Sequence, residues 1–294
     1  MTTRPSPAAA VLLMLAAVLL FALMDAGLKL LSAHYPPLQV AALRGLSSLP
    51  LVALWALATV PPRALLRVHW PLHLLRGLLG VAMMAGFVYG LRGMPLSTAY
   101  AITFVAPLLV TAMAGPLLKE KVGMGRWVAI AVGLLGVLVI LRPTGQGMMT
   151  LGGLAVLGAA VCYALGAVTV RLLAQRGDST QAMVFWFVVL LSAGAWLLAW
   201  PAWKPLLPAH AWIIAGVGVS GSLAQVALTE AFRRGEASLI APLEYTALIW
   251  GVALDVALWN VLPDAVTWIG AAIIVASGFY LLRRERVHAE AEHP

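Results

Sequence analysis

A chain of 294 residues that is 62% hydrophobic and only 10% charged leaves no room for a soluble domain, since soluble domains are about a quarter charged. The formal charge of +8 would suit a nucleic-acid binder, but the basic residues cluster at the ends of apolar segments and act as anchors against a lipid surface. The one cysteine, Cys162, lies mid-segment and excludes an intrachain disulfide.

Ten helices are predicted in chain order, at 8–32, 38–60, 70–92, 96–118, 124–141, 151–175, 180–200, 209–232, 237–259 and 265–283. Four uncharged runs, 93–118, 143–170, 179–203 and 205–229, are each long enough to span roughly 30 Å of hydrocarbon. The first segment, behind Arg4, has the look of a signal peptide. Its counterpart around Arg171 lies in mid-chain and cannot be cleaved, so the first segment is read as a membrane helix. Short connections carry Pro or Gly, as in Tyr35-Pro36-Pro37, Pro61-Pro62, Gly93-Met94-Pro95 and Leu262-Pro263-Asp264.

The fold class is therefore an all-α polytopic membrane protein, and the chain is written twice. An offset of about 141–142 residues pairs Lys29 with Arg171, Gln39 with Gln181, Gly80 with Gly221, Ser97 with Ser238 and Trp127 with Trp268, and Pro61 pairs with Pro201 at 140. Each half, 1–143 and 144–294, holds five segments. Five is odd, so the second half enters the membrane inverted. Inverted repeats predict alternating access around a site near the midplane.

Orientation follows from the cations. One set of loops holds Arg4, Arg63, Arg67, Lys119, Lys121, Arg126, Arg176, Arg233, Arg234, Arg283, Arg284 and Arg286, and the other only Arg92, Arg142 and Lys204. Both termini are predicted to be cytoplasmic, in a bacterial-type inner membrane.

The stretch LRGMPLSTAYAITFVAPLLVTAMAGPLLKEKV followed by GRWVAIAVGLLGVLVILRP resembles the drug/metabolite transporter superfamily, and within it the ten-helix EamA-type exporters. The second half repeats it as FRRGEASLIAPLEYTALIWGVALD and TWIGAAIIVASGFYLLRR. Glu120 matches a glutamate common after the family's fourth helix, whereas the aligned second-half position is Val261. General likeness extends to the YddG-type exporters of aromatic and other neutral amino acids. The resemblance implies efflux of small metabolites through a central cavity lined by the first, third, fourth, sixth, eighth and ninth helices.

Ionisable groups inside a membrane segment are functional candidates by default. By depth, Asp25, Lys29, Arg44 and Asp255 lie toward the outside, and Arg76, Arg171, Glu230 and Glu244 toward the cytoplasm. Asp25 and Lys29 at i,i+4 share a helix face and permit an ion pair. These two groups read as gates that open alternately around an uncharged middle. The alternative for Lys29, Arg171 and Glu230 is snorkelling from helix ends into the headgroups.

Met83, Met84, Phe104, Tyr163, Gln225, Thr246 and Trp250 fall near segment centres and are the candidate cavity lining. Aromatics and methionine make adaptable apolar surface, and Gln or Thr orients a ligand's amino or carboxylate group. The bland alternative is that they face lipid or neighbouring helices. Pro107 and Pro242 are candidate hinges in the fourth and ninth helices. Gly86 with Gly90, Gly218 with Ser222, and Gly133 with Gly136 have helix-packing spacing. Trp70, Trp200, Trp203, Trp212, Trp259 and Trp268 are expected in the interfacial belts.

The rival class, a membrane enzyme, needs a cluster of metal-ligating or acid–base residues. His69 and His73 have i,i+4 spacing but no third ligand is legible beside them, so no catalytic residue, metal or cofactor is expected. No Gly-rich phosphate loop is present to drive pumping. The partners expected are a small-molecule substrate (an amino acid or drug-like metabolite) and the bilayer, and a monomer suffices to enclose a cavity. Transport is then either passive or proton-coupled, the latter with Glu244 or Asp25 as carrier and with drugs or lipophilic cations as further substrates.

Overall fold

The computed structural model describes residues 7–118, 124–141, 151–234 and 241–292. Among these it is all-helical: α1 (Pro7–Ser32), α2 (Pro37–Thr59), α3 (Pro62–Leu66), α4 (Trp70–Leu91), α5 (Leu96–Thr103), α6 (Ala106–Leu118), α7 (Met124–Leu141), α8 (Leu151–Gln175), α9 (Thr180–Ala199), α10 (Ala211–Arg234), α11 (Ala247–Trp259) and α12 (Ala265–Glu292). Seven of the apolar spans are long enough to cross a bilayer, and Trp127–Leu141 and Ala265–Tyr280 are shorter apolar helices. Glu120, Lys119, Lys121, Arg4 and Arg142 lie outside the described residues.

Two expected helices are not continuous α-helix over the described residues. The fourth segment divides into α5 and α6 at Phe104 and Val105, because Pro107 cannot donate to the Thr103 carbonyl. The ninth begins with a 3₁₀ segment, Ala241–Thr246, which contains Pro242 and runs into α11. Phe104 at the break and Tyr245 in the 3₁₀ segment, 141 residues apart, meet edge to face with centroids 5.0 Å apart.

Four long contacts hold the bundle: α1 along α10, α4 along α8, α2 along α9, and α7 along α12. Secondary contacts join α10 to α2, α4 to α9, α5 and α6 to α8, and α11 with its 3₁₀ lead to α1. Small residues make these approaches possible. A Cβ on Gly90 would stand 2.9 Å from the Gly152 carbonyl oxygen, and one on Gly218 2.5 Å from that of Ser47. Gly86 packs on Ala155, and Gly133 and Gly136 pack against α12 at Ser277 and Gly270.

Leu12, Leu54, Leu78, Leu135, Leu197 and Ile249 are exposed, whereas Asp255, Gln39 and His73 are buried. That inversion of the soluble pattern fits a lipid-facing exterior. Trp70, Trp200, Trp212 and Trp268 lie exposed on it. Trp203 and Trp259 depart from the expected belt: both pack on the interior clusters, and Trp259 lies under the half-buried Lys29.

Candidate functional site: two ends and a middle

The end of the bundle carrying the α1–α2, α4–α5 and α11–α12 turns (the distal end) is closed around Asp255. This carboxylate is fully buried and accepts four hydrogen bonds. Lys29 Nζ donates to Oδ1 at 3.1 Å, as does the Leu96 backbone N–H at 2.9 Å. The Ser97 backbone N–H and Oγ donate to Oδ2 at 2.8 and 2.6 Å. Pro95, the residue before α5, offers no side-chain cap, so Asp255 satisfies the first N–H groups of α5 from another helix and meets the positive end of its dipole. Lys29 Nζ also lies 4.1 Å from the Trp259 ring centroid.

This pairing corrects two expectations. Lys29 does not snorkel: its side chain is 13% exposed and tied to Asp255. Nor is Asp25 its partner. Asp25, one turn earlier on α1, accepts from Tyr100 Oη at 2.8 Å and lies within electrostatic reach of Arg44. Arg44 Nε is buried without a hydrogen-bond partner among the described residues. With Lys29 turned toward α11, Arg44 from α2 is a positive charge that bears on Asp25.

Above this network the loops are sewn together. Arg92 donates to the carbonyls of Ser32 and Tyr35, each at 2.8 Å. Gln39 exchanges hydrogen bonds with the Lys204 backbone at 2.7 and 2.9 Å. Tyr35 Oη bonds His210 Nδ1 at 2.9 Å and accepts from the Leu207 N–H at 3.0 Å.

The opposite end, where α1 begins, has its own clasp. Asp178 in the α8–α9 turn accepts from the His69 backbone N–H at 3.1 Å. Its oxygens also bond His69 Nδ1 at 2.6 Å and His73 Nε2 at 2.9 Å. Burial alone would raise the Asp178 carboxyl, but the hydrogen bonds from the two histidines outweigh it and hold it below the usual carboxylate range. The third group beside His69 and His73 thus exists, more than a hundred residues away in sequence. It bonds the rings directly, and no group among the described residues could hold a metal ion.

Tyr163, at the centre of α8, is 50% exposed. Its hydroxyl lies in electrostatic reach of Glu244, from the 3₁₀ segment, and of Arg76, from α4. Arg76 Nη1 donates to the Met183 carbonyl at 2.5 Å, and its guanidinium sits 4.7 Å from the Phe187 ring centroid. Of the other candidates for the lining, Met83, Gln225 and Trp250 are half-buried. Met84 and Phe104 are packed into the core, and the Thr246 hydroxyl donates to the Leu243 carbonyl at 2.6 Å. Pro107 is half-buried on α6, Arg171 exposed near the end of α8, and Glu230 half-buried on α10.

Sequence reading missed Tyr100, Asp178, His210, Tyr245 and Trp259 as partners. Only Tyr245 carried a usable signal, its repeat relation to Phe104.

A bundle with an apolar exterior and charges gathered on its internal faces is a polytopic membrane protein of transporter type. The chain belongs to the EamA-like transporter family, whose profile matches residues 8–142 and again 150–283. It is similar to a riboflavin transporter of Vibrio cholerae serotype O1, 31% identical over 298 residues and 99% of both chains. It is also similar to a pseudopaline exporter of Pseudomonas aeruginosa, 27% identical over 94% of this chain and 96% of that one. An S-adenosylmethionine uptake transporter of Rickettsia conorii is 28% identical over 75% of this chain and 74% of the other. The substrates in these names differ from the aromatic amino acids expected. A solved crystal structure superposes with a TM-score of 0.65 over 95% of this chain and 99% of that chain; at 22% identity it speaks for the fold alone. The family and these relatives are transporters, which favours transport over an enzymatic role.

Proposed function

We propose that this chain exports small metabolites, aromatic and other neutral amino acids among them, by alternating access between two inverted five-helix halves, 1–143 and 144–294. The observation that carries the reading is an asymmetry along the bundle axis. The distal end is shut by the Asp255 network, while Tyr163 at mid-helix is half exposed. A central chamber closed on one side and open on the other is one half of an alternating-access cycle. The twofold family match and the helix contacts, which map onto one another when the halves are exchanged, support the inverted repeat. The distribution of Lys and Arg supports cytoplasmic termini, which makes the distal end the outer one and the structure inward-facing.

The relatives' names widen the substrate range to include riboflavin. The test is reconstitution in liposomes loaded with labelled phenylalanine or labelled riboflavin, with efflux followed in the presence and absence of an imposed pH gradient. Protein-dependent efflux of either compound is expected, indifferent to the gradient. Stimulation by the gradient would move the mechanism to proton antiport through Asp25 or Glu244. No efflux of either compound would sink the substrate assignment.

A further inference from the structure

The bonds that tie the two halves together are of two kinds. One kind occurs twice, once at each end. His69 and His210, 141 residues apart, stand immediately before α4 and α10, the third long helix of each half. Each bonds through Nδ1 to a side chain in the turn between the first two long helices of the other half: His69 to Asp178 at 2.6 Å, His210 to Tyr35 at 2.9 Å. Both turn residues also accept a backbone N–H from the approach to that helix, Asp178 from His69 and Tyr35 from Leu207. The other kind occurs once. Asp255 on α11 holds the head of α5 through Leu96 and Ser97. The positions aligned with it, Met113 and Ala114, carry no side-chain oxygen that could repeat the bond. Nor do α6 and the 3₁₀ segment, the counterparts of α11 and α5, make a comparable contact among the described residues.

In a carrier built as an inverted repeat, the second state follows from the first when the halves exchange conformations. Each contact between the halves is then replaced by the contact between its counterparts. The Tyr35–His210 clasp maps onto the His69–Asp178 clasp, and the reverse. Both are made in one structure, so both are made in the other state too. The Asp255 contact has no counterpart and is lost. On the alternating-access reading above, we propose that the two histidine clasps are permanent joints, held through the whole cycle. Only the Asp255 side of the distal end opens and closes, while the Tyr35–His210 clasp at that same end stays shut.

The clasps pin two helix pairs that also map onto each other: α1 with α10 at the distal end, and α4 with α8 at the opposite end. Each pair is closely packed, since a Cβ on Gly221 would stand 2.7 Å from the Met24 sulphur and one on Gly90 2.9 Å from the Gly152 carbonyl oxygen. On α1 pack α11 and its 3₁₀ lead, and on α8 pack α5 and α6. The moving bodies are therefore two mixed units, each drawing helices from both halves: α1 with α10 and α11, and α4 with α8, α5 and α6. Asp25 and Asp255 lie in the first unit, and Ser97 and Tyr100 in the second. The bonds of Asp255 to Leu96 and Ser97, of Asp25 to Tyr100, and of Arg92 to the Ser32 and Tyr35 carbonyls all cross the boundary at the distal end.

The test is cross-linking with a reducible bifunctional methanethiosulfonate in a Cys162→Ser background, read as flux of labelled phenylalanine or riboflavin in proteoliposomes before and after reduction. The pairs are Tyr35→Cys with His210→Cys, His69→Cys with Asp178→Cys and, at the gate, Ser97→Cys with Asp255→Cys. Flux is expected to stay within about twofold when either clasp is cross-linked, and to fall about tenfold or more, recovering on reduction, when the gate is. These substitutions remove native bonds, so spin-label distances are also measured with the clasps intact. The labels sit at the exposed pairs Ala33 and Leu206, Arg67 and Arg176, and Gly93 and Leu262, with and without Asp255→Asn. The 93–262 distance is expected to lengthen in Asp255→Asn while the other two hold. Flux lost on cross-linking a clasp and regained on reduction, or a clasp distance that lengthens together with 93–262, overturns the joints and leaves alternating access standing. Flux undiminished by the gate cross-link, or all three distances unchanged, overturns alternating access and the joints with it. If neither compound is carried, the substrate assignment fails and the distances alone decide.

Discussion

Replacing Asp255 by Asn tests what the distal network does. The change is nearly isosteric, so packing around α11 is preserved. Asn retains one carbonyl oxygen, which serves either Leu96 N–H and Lys29 or the two Ser97 donors, and its NH₂ then faces donors in place of an acceptor. The ammonium of Lys29, 13% exposed, loses its counter-ion. Breaking a buried pair by removing one partner costs about 3–5 kcal/mol. These bonds join α1, α5 and α11, so they are made only while the distal end is shut. The same energy therefore shifts the closed-to-open equilibrium roughly 10²- to 10⁴-fold toward distal opening. The assay is labelling of a cysteine at position 163 (Tyr163→Cys in a Cys162→Ser background) by a membrane-impermeant maleimide from each side of the membrane. Asp255→Asn is expected to raise labelling from the distal side by an order of magnitude or more and to lower the melting temperature. Unchanged sidedness alongside a lowered melting temperature would refute the gate and reduce Asp255 to a structural cap for α5.

Three further outcomes are expected. Asp178→Asn replaces one of the two oxygens that accept three hydrogen bonds by an NH₂ group and should cost about 1–3 kcal/mol of thermal stability. Because the native carboxyl is held below its ordinary value of about 3.9, its own contribution to the clasp is complete above that value and is lost as pH falls through the lowered one, so the difference in melting temperature between the native chain and Asp178→Asn should shrink as pH falls below about 3.9. Gly218→Val sets a branched side chain against the Ser47 backbone, which cannot yield, and should separate α10 from α2 and abolish a monodisperse peak in size-exclusion chromatography. Tyr163→Ala combined with Trp250→Ala should lose transport or its selectivity; intact flux with intact selectivity would show that neither residue lines the path.

The helices were legible because apolar length and Pro or Gly punctuation act locally. Met124–Leu141 and Leu151–Gln175 fall on the expected bounds, and most other ends move by only a few residues. Breaks were harder. Pro107 signalled a hinge, yet the interruption sits at Phe104 and Val105, before the proline, where the lost N–H removes a bond to the preceding turn. Partnership was the least legible. The i,i+4 spacing of Asp25 and Lys29 suggested a local pair, but rotation about a helix axis is set by what the neighbouring helices offer. Asp255 offered Lys29 a buried carboxylate 226 residues away. Asp178 and His210 were hidden for the same reason: each lies in a turn, and only packing of α4 against α8 and α9, and of α1 against α10, brings them to His69 and Tyr35.

The most direct test of alternating access is counterflow in proteoliposomes: uptake of labelled phenylalanine into vesicles preloaded with a large excess of unlabelled phenylalanine or with buffer alone. A carrier whose single chamber faces one side at a time predicts transient accumulation of label above equilibrium, seen only in the preloaded vesicles. Equal uptake in both sets, rising only to equilibrium, would mean a path open to both sides at once and would contradict the account.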